Sequence, residues 1–412
     1  MTDDPFATAG SAVVLNPRAG GSYTPAMQAI LSDAGLAAAR ATITGWPGYA
    51  PTPLVALPGL ASRLGVGSIA YKDEGGRFGL GSFKALGGAY AVSRLLAAEV
   101  ERRSGVRPTV AALLSGAHAD AVGSVTVACA TDGNHGRSVA WGARLFGCRC
   151  VIFIHATVSD GRRAAIAAFG AEVRRTAGNY DDSVRTAQET ATAEGWFVVS
   201  DTSYPGYRDV PKDVMQGYEL MALEAFEALE APPTHIFLQT GVGGMAAAVA
   251  ALAWRRFGAD RPKIVLADPE KAACFVESLA AGRPVAVHGD LDTMMAGLAC
   301  GEVSELAWEI LATGADAVVR LPDAAAIAAM RLLADAPFGD RPVVAGESAV
   351  AGLAALAASL KDPAAAAALG LGPTARVLVF GTEGDTDPDL YQSLVGQPAA
   401  AVRARATAWS PT

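Results

Sequence analysis

Between residues 125 and 200 four short strand-like runs (125–130, 151–154, 172–176 and 196–200) alternate with segments of helical length (137–146, 162–169 and 182–194). Strands too far apart for hairpins, each followed by a helix, can satisfy their backbones only in a mainly parallel sheet covered by helices. After Pro232-Pro233 the pattern resumes with a strand at 235–239, a glycine-led helix at 241–255, a strand at 264–267 and a late strand at 376–380. Alanine-rich segments between these last two read as helical, and no repeat of fixed period is present. Residues 1–53 read as an extension with one helix over 25–39, and 101–124 as a connection. The expected fold is therefore α/β with two lobes, a large domain of residues 1–105 and 207–412 and a small domain of residues 106–206.

Composition agrees with two lobes. The 412 residues are 51% hydrophobic, enough for a large core. The net charge is −8 and the basic residues are scattered, so no footprint for nucleic acid is present. Apolar stretches are broken by glycine or charge before reaching membrane-spanning length, and the acidic opening residues lack the order of a secretory signal, so a cytoplasmic protein acting on small molecules is expected. Five cysteines and five histidines stand at spacings that match neither a disulfide framework nor a zinc site, and no metal is expected.

Residues 71–84 run from a short strand (68–72) through a glycine-rich turn into an apolar helix, with Lys84 at its first turn. Phe83, Ala85 and Leu86 flank this lysine. Apolar flanks desolvate an amine and disfavour its charged form, which suits a Schiff-base lysine. Lys72 is its competitor, and an ordinary lysine at a helix end is the plainer reading.

Two further turns follow strands and open helices. In Thr131-Asp132-Gly133-Asn134-His135-Gly136, the N–H groups and the Asn134 amide suit an anion or a phenolic oxygen, although the same residues are good turn formers. In Thr240-Gly241-Val242-Gly243-Gly244-Met245, unpaired N–H groups at a helix start suit a phosphate. No Lys-Ser or Lys-Thr pair follows, which argues against a nucleotide P-loop. Close packing of helix on strand would use the same glycines.

With the late Gly381-Thr382-Glu383-Gly384, these stretches make the sequence resemble the fold type II (tryptophan synthase β-like) pyridoxal-phosphate enzymes, and within them the diaminopropionate ammonia-lyases. The resemblance runs over about residues 46–390. It is carried by Lys72-Asp73-Glu74, Arg77 to Leu80, Phe83-Lys84, Ala130 to Gly136, Asp201-Thr202, Met215 to Tyr218, Gly241-Val242-Gly243, Met295 to Glu302, Gly346-Glu347-Ser348 and Thr382 to Asp387. It implies pyridoxal phosphate in the cleft between the lobes, bonded to Lys84, with Asn134 at its 3′ oxygen, Gly241, Val242, Gly243, Gly244 and Met245 at its phosphate and Thr382 at its ring nitrogen. It also implies a homodimer, and places Cys274 and Cys300 near one another at the pocket rim, where free thiols are expected.

The reaction so implied is elimination of ammonia from 2,3-diaminopropionate, giving pyruvate and two ammonia. Thr131, Asp132, His135 and Asp201 would meet the substrate. Lys84 would act as base toward the L-isomer and Asp132 toward the D-isomer, and the Asp201 carboxylate would bind the β-ammonium. A serine or threonine dehydratase on the same scaffold is the neighbouring reading. A non-catalytic binder of a phosphorylated metabolite is the reading from another class.

Overall fold

The computed structural model describes residues 6–131, 133–156, 158, 160–178 and 180–410. Its strands are β1 (Ala12–Leu15), β2 (Leu54–Ala56), β3 (Ser68–Asp73), β4 (Thr126–Ala130), β5 (Arg149–Ile154), β6 (Glu172–Arg175), β7 (Phe197–Val198), β8 (His235–Gln239), β9 (Lys263–Pro269), β10 (Ala317–Leu321) and β11 (Arg376–Gly381). The chain divides into two compact units. The larger holds the described residues up to Ile30, Pro51–Ser82 and those from Met221 on, and the smaller holds Leu31–Ala50 and Phe83–Leu220.

The larger unit is built on a seven-stranded sheet ordered β1-β10-β9-β8-β11-β3-β2. Its five inner strands are parallel, and β1 and β2 close the edges antiparallel. Apolar residues of one sheet face, such as Phe237, Val265, Val319 and Val379, form a buried core with the small residues of Ala351–Lys361. Gly352 allows that helix to lie against β8, because a Cβ there would stand 2.8 Å from the Phe237 carbonyl oxygen.

The segment between β3 and the end of this unit at Ser82 is held by buried charge. Arg77 grips the Glu74 carboxylate through Nε and Nη2, both at 2.8 Å, and the Glu224 carboxylate through Nη1 and Nη2 at 2.9 and 2.7 Å. Lys72 donates to Glu224 at 2.6 Å and to the Thr52 carbonyl at 2.7 Å. Two cations thus meet two carboxylates, the arrangement that makes buried charge tolerable. Lys72, only 1% exposed and committed to these partners, is a structural lysine.

The smaller unit is built on a parallel sheet ordered β6-β5-β4-β7. The helices Asn134–Phe146 and Ala85–Ser104 pack along one another, and this contact draws residues 83–105 into the smaller unit. Domain boundaries thus fall after Ser82 and Leu220, where the sequence reading had 105 and 206. Gly88 and Gly142 allow the approach: a Cβ at Gly142 would stand 2.7 Å from Ala89 Cα, and one at Gly88 would stand 2.0 Å from Ser138 Oγ.

Four elements differ from the sequence reading. The Val-rich run of β10 is a strand inside the interval read as helical, β1 is a strand within the extension, and β2 is a strand directly after it. The single helix expected over 25–39 is two, Pro25–Ile30 and Asp33–Ile43, because Ser32 caps the second by accepting from Gly35 N at 3.1 Å. No described helix is long and apolar enough to cross a membrane.

Helix propensity alone would favour alanine over glycine by ~0.5–1 kcal/mol at an interior helical position. At Gly142 the clash is with backbone, so overpacking should win and Gly142→Ala should lose about 1–3 kcal/mol. Exposed Gly123, where a Cβ meets nothing within 4 Å, should tolerate alanine. Equal denaturation midpoints for the two variants would contradict this packing account.

Candidate active site

In the smaller unit β4 lies between β5 and β7, and the chain leaves β4 toward β5, away from β7, so the carboxyl ends of β4 and β7 border a crevice of the kind where ligands bind in open parallel sheets. Residues 131–134 follow β4, and Val199 to Asp201 follow β7. The second segment is fixed by Val199 N donating to the Ala128 carbonyl at 2.8 Å and by the Tyr207 hydroxyl, which donates to the Val198 carbonyl and accepts from Ser200 N.

Lys84 stands at the start of Ala85–Ser104. Its Nζ lies 2.6 Å from Asp201 Oδ2, each side chain about one fifth exposed. The ring centroids of Phe83 and Tyr218 are 5.4 and 5.7 Å from the same nitrogen, an aromatic wall suited to a cation. The apolar flanks expected from the sequence are present, but the amine itself is ion-paired, not isolated in hydrocarbon. Burial works to raise the Asp201 pKa. The Lys84 ammonium, then His135 and the hydrogen bonds, outweigh it and hold the carboxyl well below its usual range.

His135 is buried, with Nε2 3.0 Å from the Val199 carbonyl oxygen and Nδ1 3.8 Å from Asp201 Oδ2. A carbonyl only accepts, so Nε2 carries the hydrogen and Nδ1 presents a lone pair. That Nδ1 makes no hydrogen bond among the described residues. Burial, more than any other influence, lowers the His135 pKa and keeps the ring neutral.

Thr131 Oγ1 accepts from Gly133 N at 3.3 Å, and Asn134 opens the helix Asn134–Phe146. Asp132 lies outside the described residues. The structure therefore brings Lys84, Asp201 and His135 together.

The larger unit has its own point of divergence, between β8 and β11. Gln239 Nε2 donates to the Phe380 carbonyl at 2.8 Å and to Thr382 Oγ1 at 2.7 Å, joining the two carboxyl ends. Thr382 is buried, and its hydroxyl hydrogen has no protein acceptor among the described residues. After β8, Thr240 N donates to the Ala267 carbonyl, and the next backbone donor with a protein acceptor is Ala247 N. The N–H groups of residues 241–246 thus have no protein acceptor among the described residues, and Gly243 takes a left-handed φ of +92°. Six free donors at the start of Gly244–Phe257, and a hydroxyl hydrogen to spare, fit a phosphate and a pyridine nitrogen respectively. Cys274 Sγ lies 3.5 Å from the Gly241 carbonyl oxygen, a Cβ at Gly241 would stand 3.2 Å from Cys300 Sγ, and no disulfide joins the two cysteines.

Sequence reasoning assigned no role to Tyr218 or Gln239. Gln239 had a signal, as the one amide ending an otherwise apolar run; Tyr218 had none beyond its place in the quoted motif.

Both lysine and donor loop are what a cofactor-dependent enzyme of amino-acid metabolism needs, and comparison with known proteins agrees. The family described as "Pyridoxal-phosphate dependent enzyme" matches residues 45–382, and the chain belongs to this family. Within it the chain groups with the diaminopropionate ammonia-lyases. It is 42% identical over 364 residues to that of Escherichia coli (strain K12), covering 86% of this chain and 89% of the relative. The fold superposes on the Escherichia coli diaminopropionate ammonia lyase in complex with an aminoacrylate-PLP azomethine reaction intermediate with a TM-score of 0.84 at 37% identity, over 95% of this chain and 97% of that one. The D-serine complex of the same enzyme gives 0.84 at 36% identity, over 93% and 96%. Pyridoxal phosphate is the cofactor.

The lowered His135 pKa has a consequence for stability. Below its ordinary value of 6.5 the unfolded chain takes up a proton that the folded chain refuses, so stability should fall as pH drops through that value. His135→Asn should flatten the fall by up to ~1.4 kcal/mol per pH unit. His235, also lowered by burial, should leave a residual slope. Unchanged pH dependence in the variant would show that His135 titrates normally.

Proposed function

We propose that this chain converts 2,3-diaminopropionate and water to pyruvate and two ammonia, acting on the L- and D-isomers. The observation that carries the reading is the Asp201 carboxylate, held ionised and already 2.6 Å from an ammonium nitrogen. Pyridoxal phosphate, when bound, supplies the electron withdrawal that makes a Cα proton removable. Lys84 would be the residue that bonds to it. Asp201, without its ammonium partner, would then take the β-ammonium of the substrate, a group that serine lacks.

The resemblance implies that residues 241–245 would hold the cofactor phosphate through the uncommitted N–H groups, that the Asn134 amide would meet the 3′ oxygen and that the Thr382 hydroxyl would meet the ring nitrogen. A neutral hydroxyl does not keep that nitrogen protonated, which favours elimination over transamination. Freed when the amine of the substrate takes its place, Lys84 would be the neutral amine that takes the Cα proton of the L-isomer. His135 Nδ1, a buried acceptor beside Asp201, takes a hydrogen bond from the substrate, with Thr131 bordering the same turn. Asp132 takes the Cα proton of the D-isomer, an assignment that rests on its place before the asparagine turn. The resemblance further implies a cytoplasmic homodimer, which light scattering would report as twice 41.9 kDa.

Lys84→Ala should abolish borohydride labelling by the cofactor at this position and nearly all pyruvate formation; turnover near the wild-type rate would move the anchor elsewhere. Asp201→Asn should weaken kcat/KM for diaminopropionate more than for serine, and equal losses would reduce Asp201 to a structural role. For Asp132→Asn the expected result is a loss of roughly 10²- to 10⁴-fold confined to the D-isomer. Parallel losses on both isomers would refute a separate base.

A further inference from the structure

A second carboxylate, Asp268, lies at the end of β9 in the larger unit and is fully buried. Its Oδ2 accepts from Phe275 N at 2.8 Å and Val276 N at 3.1 Å. These are the second and third residues of the helix Cys274–Ala281, whose N-cap, Ala273, has no side-chain oxygen to offer. Asp268 thus satisfies from another strand the donors that a capping side chain would otherwise satisfy. Its Oδ1 makes a close hydrogen bond with Thr240 Oγ1, the first residue of the glycine loop.

The capped helix in turn braces that loop. The Phe275 ring packs against Gly243 so closely that a Cβ there would stand 2.3 Å from Cζ, and Cys274 Sγ reaches the Gly241 carbonyl. Three contacts onto the loop, at Thr240, Gly241 and Gly243, therefore trace back to one carboxyl group.

We propose that Asp268 is a positioning residue for cofactor binding, which presets the N–H groups of residues 241–246 toward a phosphate by tying Thr240 and the start of Cys274–Ala281 to one buried group. The inference rests on the reading of this loop as the phosphate site. Positioning matters here because six donors in flexible backbone would have to be ordered at the moment of binding, and donors already fixed avoid that loss.

The carboxyl also suits its place under an anion. Burial pushes its pKa up to about 7, against the pull of Thr240 and the two backbone donors. Hydrogen counting agrees: the Thr240 hydroxyl also reaches the Ala267 carbonyl at 3.0 Å, and its single hydrogen cannot serve both acceptors. With that hydrogen on Ala267, a neutral carboxylic acid donates to Thr240 Oγ1, which an asparagine amide would reproduce.

The test uses cofactor-free protein and compares equilibrium binding of pyridoxal phosphate with that of pyridoxal, which lacks the phosphate. Asp268→Ala should weaken pyridoxal phosphate by about tenfold or more and pyridoxal by less than about twofold. Asp268→Asn should retain the wild-type preference. Should the alanine variant not fold, Thr240→Val and Phe275→Leu each remove one strut and should shift the same ratio in the same direction. A preference for the phosphorylated aldehyde that survives in these variants, or equal weakening of both aldehydes, overturns the proposal. Wild-type protein that does not discriminate between the two aldehydes would instead overturn the assignment of the loop as the phosphate site, and the proposal with it.

Discussion

The ion pair between Lys84 and Asp201 is the interaction on which the chemistry of the smaller unit depends, because it sets the charge of both partners in a setting with little water. A carboxylate so placed must be balanced by a cation, and the ammonium 2.6 Å away supplies it. If the lysine bonds to the cofactor as proposed, that balance would be open to another ammonium. The same pair therefore explains the protein before it meets substrate and the selectivity expected afterwards. The tight contact of Ala85–Ser104 with Asn134–Phe146, through Gly88 and Gly142, keeps the geometry from drifting.

The larger unit solves a related problem with backbone rather than charge. Its parallel strands end at a divergence between β8 and β11, where Gln239 locks the two ends together and leaves Thr382 a hydrogen to offer. The loop after β8 presents N–H groups that no described protein atom accepts. Exposed donors of this kind are costly unless solvent or a ligand meets them, so the scaffold around them has to be rigid. The cluster of Lys72, Glu74, Arg77 and Glu224 and the struts from Asp268 provide that rigidity within the unit.

Much of this was legible in the sequence because it depends on local pattern. The four strands of the smaller sheet, the glycine loop after β8 and the lysine at a helix start are all readable from neighbouring residues. What escaped depends on partners far apart in the chain. Nothing near Arg77 announces Glu224, and nothing near Thr240 announces Asp268, so a motif arginine and an ordinary aspartate acquired their roles only through tertiary structure. The strand β10 escaped because its alanine-rich surroundings favour helix while its valines are claimed by the sheet. The domain boundary escaped because Ala85–Ser104 continues the chain of one unit but packs with the other helices of the smaller one.

The central claim is that the protein removes two amino groups from one substrate. The most direct measurement is the product stoichiometry of the cofactor-loaded enzyme with 2,3-diaminopropionate, with ammonia and pyruvate quantified in the same reaction. Two ammonia per pyruvate, at a kcat/KM above that for serine or threonine, is the expected result. Pyruvate or 2-oxobutyrate formed efficiently from the hydroxy amino acids, with little product from diaminopropionate, would contradict the account.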